Sequence, residues 1–580
     1  MDKAEKVMNL AMRRGFFWPA YEIYGGVAGT LVWGPYGVLL KDKIMGLWRR
    51  MFVHRHGFLE IQGPAIAPRI VFEASGHVEG FKDVMVSCSS CGRKFRADTL
   101  LAERGIEVSE SLSLEEFDEV ISRNDVRCPS CGGLFEKATY FITMFKTTIG
   151  PYTEAEGFLR PETAQNMFVE FKRVYESFRR AFPLGIAQIG RGYRNEISPR
   201  QGPIRLREFD MMELEFFFDP MDEDCPYFEE VADEEINILH EELIRRGRSE
   251  YETMTLREAV DRGIVKNKYL GYFMVLAVWF LERLGIPRRY QRFREKLEGE
   301  RAHYAVQTFD QEVKLDRWGW VEVSGHANRT DYDLSRHMEF SGRELYAYRR
   351  LDKPKKHVVR EAYPKPRDIK ARYGDKIAEI MKVLGSMDPR EIYSMLDSHG
   401  YVEVSGIRLT KEYFDIRVEE KLVEVEPFIP HVVEPSFGLD RIAYAVLEYA
   451  YREVGDRVVL SLPAQVAPVE VAVFPLVADE RLVNVAREIF ESLRDEGYNV
   501  FYDESDSIGR RYARADEIGI PVAVTVDHRT LEDDTVTVRD RDSWRQFRIN
   551  KDRVRNFIKL VVSGVGFLEA AQSMGLEPVD

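Results

Sequence analysis

Residues 190–220, GRGYRNEISPRQGPIRLREFDMMELEFFFDP, constrain this chain more than any other stretch. They read as a strand ending on an arginine and a carboxylate, a turn built from Pro199, Gly202 and Pro203, and a returning strand in which glutamates alternate with apolar residues. Arg194, Arg200, Arg205 and Arg207 gather on this one hairpin, a density suited to bidentate grip on phosphate or carboxylate. A solvated hairpin carrying surface ion pairs is the plainer alternative. The strand candidates 186–194, 207–218 and 318–325 are separated by turns more often than by crossover helices, which points to an antiparallel sheet.

A chain of 580 residues exceeds one hydrophobic core, so several domains are expected. Three stretches look inserted into the body: 82–138, a helix-rich 222–305, and 352–425, which opens with three prolines among many Lys and Arg. After about residue 466 the rhythm changes. Strands 498–503, 520–526 and 534–540 alternate with helical patterns at 479–496 and 509–519, as in a compact α/β domain over 466–580. The longest apolar run, Tyr269 to Leu281, is about 13 residues and reads as a buried helix, too short for a bilayer.

Cys88-x2-Cys91 and Cys128-x2-Cys131 are each followed by glycine. Four thiolates in this pairing suit a closed tetrahedral zinc site, structural because no ligand position stays open. Four ordinary buried or free cysteines are the alternative reading. Cys225 is unpaired. Five cysteines and no export signal lead to the cytoplasm as the expected compartment. The formal charge of −14 means that any polyanion must meet a local basic face rather than bulk positive charge.

RNEISPR (194–200), LRPETAQNMFVEFKR (159–173), VEVSGHANRTDYDL (321–334) and EPSFGLDRI (434–442) together resemble the glycyl-tRNA synthetases of class II, the homodimeric, archaeal-like kind. Residues 194–215 resemble motif 2 of that class, 434–442 motif 3, and the segment ending GFLEIQGPAI (57–66) motif 1, with Pro64 as its proline. Within LRPETAQ the family continues with glycine, where Asn166 stands here. The resemblance implies an α+β fold: a catalytic domain on an antiparallel sheet in segments 1–81, 139–221, 306–351 and 426–463. A zinc-binding insertion at 82–138, a helical one at 222–305 and a basic one at 352–425 would interrupt it, and 466–580 would bind the anticodon.

The implied reaction charges tRNA(Gly) with glycine through glycyl-adenylate, using ATP and Mg2+, in a homodimer formed through motif 1 and away from membranes. Both partners of the activation step are anionic, so arginine and magnesium are natural tools for bringing them together. By resemblance, Arg194 bridges the glycine carboxylate and the α-phosphate, Arg205 meets the outer phosphates, Arg441 grips the γ-phosphate, Phe209 stacks on adenine and Glu322 holds magnesium. Glu196 would lie near the adenine and the incoming tRNA end, and Arg194, Glu196 and Arg441 form the catalytic set. The ATP site would extend to Asn195, Ile204, Leu206, Arg207 and Glu208 on motif 2. Val323, Gly438, Leu439 and Asp440 would complete it.

Glycine offers only an ammonium, a carboxylate and two hydrogens, so its pocket must be tight and acidic. By resemblance Glu162, Glu213 and Glu434 hold the ammonium and Ser436 closes the pocket. Phe209, Asp210, Met211 and Met212 would flank it from motif 2, and Pro435, Phe437 and Gly438 from motif 3. A larger amino acid is excluded by volume, because one extra methyl in a packed site costs about 1–3 kcal/mol. Glu213 and Glu215 also fit simple alternation on a half-exposed strand. A non-catalytic class II relative and a synthetase of another class IIa specificity remain the competing functional readings.

Overall fold

The computed structural model describes residues 1–580 except 107, 109–111, 152–154, 198, 200, 201, 223 and 580. Arg200 therefore lies outside the described residues. The body is organised by nine strands: β1 Leu59–Glu60, β2 Leu184–Tyr193, β3 Glu208–Phe218, β4 Glu235–Leu239, β5 Glu252–Thr255, β6 Gln291–Glu295, β7 Gln307–Leu315, β8 Gly319–Thr330 and β9 His431–Gly438. Their order across the sheet is β5-β4-β6-β7-β8-β9-β3-β2-β1. Every neighbouring pair is antiparallel except β4 with β6 and β2 with β1.

One face of this sheet is covered by helices that the apolar pattern dictates. Besides α1 (Lys3–Arg14) these include α2 (Pro35–Trp48), which starts on a proline and buries Leu40, Ile44, Leu47 and Trp48. The 13-residue apolar run forms α4 (Lys268–Arg283), capped by Asn267 and buried on nearly all sides. Its Phe273 and Phe280 meet Phe216 of β3 and Phe437 of β9, with ring centroids 5.4 and 5.6 Å apart. On the other side, α3 (Ala164–Ser177) sets Phe171 against Phe217 of β3 at 4.6 Å. Helix α5 (Leu439–Ala450) follows β9 directly and adds Leu439, Ile442, Ala443 and Tyr444 to the same core as α4.

The stretch 222–305 differs from the expected helical insertion. It contributes β4, β5 and β6 to the main sheet as well as α4. These strands are only four or five residues long, and ETMT and QRFRE hold a single apolar residue each, so little in their composition marks them as strands.

The cysteine-bearing insertion has a three-stranded antiparallel sheet, Lys94–Arg96, Lys82–Ser87 and Thr139–Ile142, with helices Ala97–Ala102 and Leu114–Arg123 over its own small core. The C-terminal region has six strands. Val471–Pro475, Val500–Tyr502 and Val522–Val526 pair in parallel, and Thr535–Asp540, Gln546–Asn550 and Glu577–Val579 extend them antiparallel, so the sheet is mixed rather than purely alternating α/β. No helix among the described residues is long and apolar enough to cross a membrane.

Tyr346–Phe428 forms a separate compact unit that contains the expected 352–425 insertion. Its stem is an antiparallel ribbon of Ala347–Pro364 and Phe414–Phe428, and its head holds three helices and a hairpin around Ile369, Ile380, Leu396 and Leu409. The prolines do not make a stiff linker of the basic stretch. Pro354 sits in the register shift between Arg350 and Lys355, and Pro364 ends its strand opposite Phe414, positions where a missing N–H is tolerated. Lys355 and Lys356 pair across the ribbon with Glu426 and Glu420 at 3.1 and 2.9 Å. The unit carries seventeen Lys and Arg against fifteen Asp and Glu, a net charge of +2 in a chain of −14.

Candidate active site

Strand register builds the centre of the site. β3, β9 and β8 are adjacent, Glu213 stands opposite Ser436, and Ser436 stands opposite Gly325, so these three lie in one row on one face. Glu434 and Ala327 form the next row. The face opens into a cavity of about 380 Å3. A side-chain carbon on Gly325 would meet nothing within 4 Å, so this glycine and Ala327 keep the wall low beside the acids.

The acidic end is tightly ordered. Glu213 accepts hydrogen bonds from Ser436 Oγ at 2.7 Å, and from Thr163 N and Oγ1 at 2.6 and 2.5 Å. Glu434 accepts from Arg329 at 2.8 Å, and the same fully buried guanidinium binds Asp333 at 2.8 and 2.9 Å while lying 3.7 Å from the Tyr304 ring centre. His77 Nε2 is 3.1 Å from Glu162. Burial pushes Glu434 up to about 7 against the opposing pull of Arg329, and burial with the nearby Glu162 charge raises Glu213. Burial also opposes ionisation of Glu162, but His77 and Arg329 outweigh it and hold this carboxyl well below the usual range. The half-exposed reading of Glu213 and Glu215 fails: both are buried, and burial beside Glu434 raises Glu215 well above the ordinary value. The free pocket thus holds more carboxyl groups than it can keep ionised, a condition that an incoming ammonium relieves.

The opposite end is cationic. The Arg194 guanidinium lies 5.4 Å from both the Phe81 and Phe209 ring centres. Arg205 donates to Glu196 at 2.9 Å, and Arg207 donates to the Glu196 carbonyl at 2.8 Å. Arg441 is fixed by the Ile204 carbonyl at 2.9 Å and by the Glu322 carbonyl at 2.8 Å, with the Glu322 carboxylate 3.3 Å away. Burial works against ionised Glu322, yet Arg441 and Lys296 hold it low. Asp310, 3.2 Å from Lys296, is pushed up to about 7 by burial and by Glu322.

Leu206, Val323, Gly438, Asp210, Met211 and Asp440 join these residues around the cavity. Several other expected residues point elsewhere. Met212 and Phe437 are buried in the core on the opposite face, because alternation along β3 and β9 turns them from Glu213 and Ser436, and Leu439, the first residue of α5, joins the same core. Phe437 packs on Phe52 with centroids 4.9 Å apart. Pro435, Asn195, Arg207 and Glu208 stand outside the cavity wall. Glu208 is taken up by an ion pair with Arg191, and the Asn195 N–H donates to the Thr143 carbonyl at 2.6 Å. Asn166 fits without disturbing the site: it packs on Gly63 and accepts from Arg160 at 3.2 Å.

The four cysteine sulfurs lie within 4.8 Å of one another. Each pair is turned by the same device: Gly92 N–H donates to the Cys88 carbonyl at 2.9 Å and Gly132 N–H to the Cys128 carbonyl at 2.8 Å, both glycines having positive φ. Backbone N–H groups, that of Cys91 foremost, bring the Cys88 thiol down to about 6. Four convergent sulfurs at this spacing are a donor set for a metal ion.

Comparison with known proteins identifies the C-terminal sheet first: residues 470–560 match the anticodon binding domain model. Across 95% of this chain and 96% of the relative, the sequence is 51% identical to glycine--tRNA ligase of Aeropyrum pernix. It is 45% identical to the Pyrococcus furiosus enzyme of that name over 97% of this chain and all of the relative, and 45% identical to the Thermococcus gammatolerans one over 97% and 99%. The chain belongs to the glycine--tRNA ligase family.

Within this glycine--tRNA ligase fold the motifs alone do not reveal every residue at the cavity. Tyr304 and His303 arrive on the 297–306 loop, which His303 ties to the Ser75 carbonyl at 3.0 Å. Phe81 comes from the neck of the cysteine insertion, Lys296 directly follows β6, and Thr308 and Asp310 come from β7. Arg329 lies inside VEVSGHANRTDYDL at the end of β8 and pairs with Asp333 at the start of the helix that follows. The others carried no local signal.

Proposed function

We propose that this chain is a glycine--tRNA ligase that condenses glycine with ATP to glycyl-adenylate and then transfers the glycyl group to the 3′ end of tRNA(Gly), in the cytoplasm. The observation that carries the reading is polarity within one cavity. Glu162, Glu213 and Glu434 with Ser436 close one end, and Arg194, Arg205 and Arg441 line the other. A zwitterion whose whole body spans an ammonium and a carboxylate fits between them.

In the first step a glycine carboxylate oxygen attacks the α-phosphorus, the bond to the β-phosphate oxygen breaks, and pyrophosphate leaves. Arg194 steadies both anions where they meet, while Arg205 and Arg441 take the charge gathering on the leaving group. Phe209 offers its face to adenine. Glu322 is the carboxylate that would hold magnesium, with Asp310 beside it; the ion would neutralise phosphate charge. Arg329 holds Glu434 toward the ammonium instead of contacting the phosphates. In the second step the terminal tRNA hydroxyl attacks the glycyl carbonyl and AMP departs, with its phosphate able to accept the hydroxyl proton, so no side-chain base is assigned.

The 470–560 domain is the reader of the anticodon in this account. Cys88, Cys91, Cys128 and Cys131 would hold zinc in a structural role, because four sulfurs fill a tetrahedron. The motif 1 region would form a homodimer, a reading supported by Tyr21, Ile23 and Tyr24, which are 61, 88 and 84% exposed just before α2. The function is tested by incubating the purified chain with ATP, labelled glycine and tRNA(Gly). Acid-precipitable label that depends on both ATP and the tRNA is expected, and its absence would remove the reading.

A further inference from the structure

Helix α2 carries one residue that its packing does not explain. Lys41 lies among Leu40, Ile44 and Leu47 on the buried face and is 5% exposed. Burying an ammonium there is costly unless its partners are well placed. Lys41 Nζ donates to Asp210 Oδ2 at 2.6 Å and to Asp440 Oδ1 at 2.7 Å, and lies 4.7 Å from the Trp33 ring centre.

Those two carboxylates are joined a second time. Asp440 Oδ2 accepts from the Asp210 main-chain N–H at 2.5 Å. Asp440 therefore ties the first turn of α5 to β3 through one oxygen and to α2 through the other. Its chain neighbour is Arg441, and the neighbour of Asp210 is Phe209, the ring beside Arg194. Asp210 and Asp440 line the cavity, whereas Lys41 stands behind them. Arg191 also approaches Asp210, at 3.4 Å, but it is exposed and does not reach Asp440.

We infer that Lys41 is a positioning residue for ATP: from behind the cavity it clamps Asp440 and Asp210, and so fixes where Arg441 and Phe209 stand. The inference rests on the reading of the cationic end as the ATP site. Without Lys41, buried Asp440 and partly exposed Asp210 face each other with no cation between them, and the turn carrying Arg441 must shift to part them. Displacement of about 1 Å at a phosphate-gripping group is enough to lower a rate by orders of magnitude. In the glycine pocket Glu213 is held by Thr163 and Ser436 and Glu434 by Arg329, none of which contacts Lys41.

The experiment compares Lys41→Met, Lys41→Arg and Arg441→Ala by glycine-dependent pyrophosphate exchange, with thermal unfolding of each protein followed in parallel. In Lys41→Met the KM for ATP should rise about 10-fold or more, while the KM for glycine stays within about 2-fold. Lys41→Arg, which keeps a cation between the two carboxylates, should hold the ATP KM within about 3-fold of the parent. An unchanged ATP KM in folded Lys41→Met, or equal rises for ATP and glycine, would overturn the inference. If Lys41→Met does not fold, Lys41→Gln, which removes the charge but keeps a polar donor, is judged by the same split between the two KM values. Arg441→Ala separates the two levels: if it raises the ATP KM and Lys41→Met does not, the positioning role alone falls. If neither moves, the ATP reading of the pocket falls with it.

Discussion

Replacing Glu434 with glutamine should make glycine binding weaker and insensitive to pH. In the free protein this carboxyl is pushed up to about 7 by burial, against Arg329, with Glu162 and Glu213 adding repulsion. A group titrating there is about nine-tenths ionised at pH 8 and one-tenth at pH 6, while the glycine ammonium stays protonated throughout. The ammonium needs the ionised form, so the KM for glycine should rise about 10-fold from pH 8 to pH 6, a loss of about 1.4 kcal/mol. Glu162 is held well below the usual range and contributes no slope in this window. Asp310 also titrates near 7, but it stands by Lys296 and Glu322 and should move the ATP requirement instead. In Glu434→Gln the charge-assisted contact is gone, which at pH 8 should cost about 2 kcal/mol, or roughly 30-fold in glycine KM. Its residual pH slope should be under about 2-fold. Pyrophosphate exchange at saturating ATP, run at five pH values, reads both quantities. A wild-type glycine KM that is flat between pH 6 and 8, or a Glu434→Gln slope as steep as the parent's, would refute this account of the pocket.

The same group has a stability signature: its folded value lies above the ordinary one, so its contribution is present at low pH and lost as pH rises through about 7. The unliganded Tm of the parent should therefore fall between pH 6 and 8 relative to that of Glu434→Gln, and calorimetry finding no relative change would count against it. Alanine at Arg194 or Arg441 should cut glycine-dependent exchange about 100-fold or more, and near-parental exchange in either would undo the phosphate assignments. Zinc analysis should find one ion per chain, lost in Cys88→Ser with Cys91→Ser together with the fold of the insertion; metal-free parent protein that is fully folded would contradict it. Changing Lys353, Lys355 and Lys356 to alanine should weaken tRNA binding and lower the salt slope by about 0.9 or less per lost phosphate contact, with exchange intact. Because Glu426 and Glu420 already hold two of these lysines, unchanged affinity and slope would leave the ribbon a purely structural element.

What could be read in the sequence was what chain-local patterns encode. The apolar alternation of 207–218 marks β3, the run from Tyr269 marks α4, and the paired C-x-x-C-G turns mark the convergent sulfurs. The ends of the polar cavity were legible because Glu213, Arg194, Ser436 and Arg441 sit in recognisable runs. Two kinds of information were missing. Which face a motif residue takes depends on strand register or helix turn, so Met212 and Phe437 on their strands and Leu439 at the start of α5 lay in the right runs but face the core. Contacts between distant segments leave no local trace: Lys41 meets Asp440 across 399 positions, and His77 meets Glu162 from a short helix in another segment. The short strands β4 to β6 were hidden for a related reason, since they are stabilised by neighbours in the sheet rather than by their own composition.

The central claim is that one cavity selects glycine with its acids and activates it with its arginines. Amino-acid-dependent exchange of labelled pyrophosphate into ATP, measured side by side with glycine, alanine, serine and threonine, tests both halves at once. Exchange with glycine, and at least about 100-fold less kcat/KM with each of the other three, is the predicted result. Exchange absent with all four, or faster with any larger amino acid than with glycine, would contradict it.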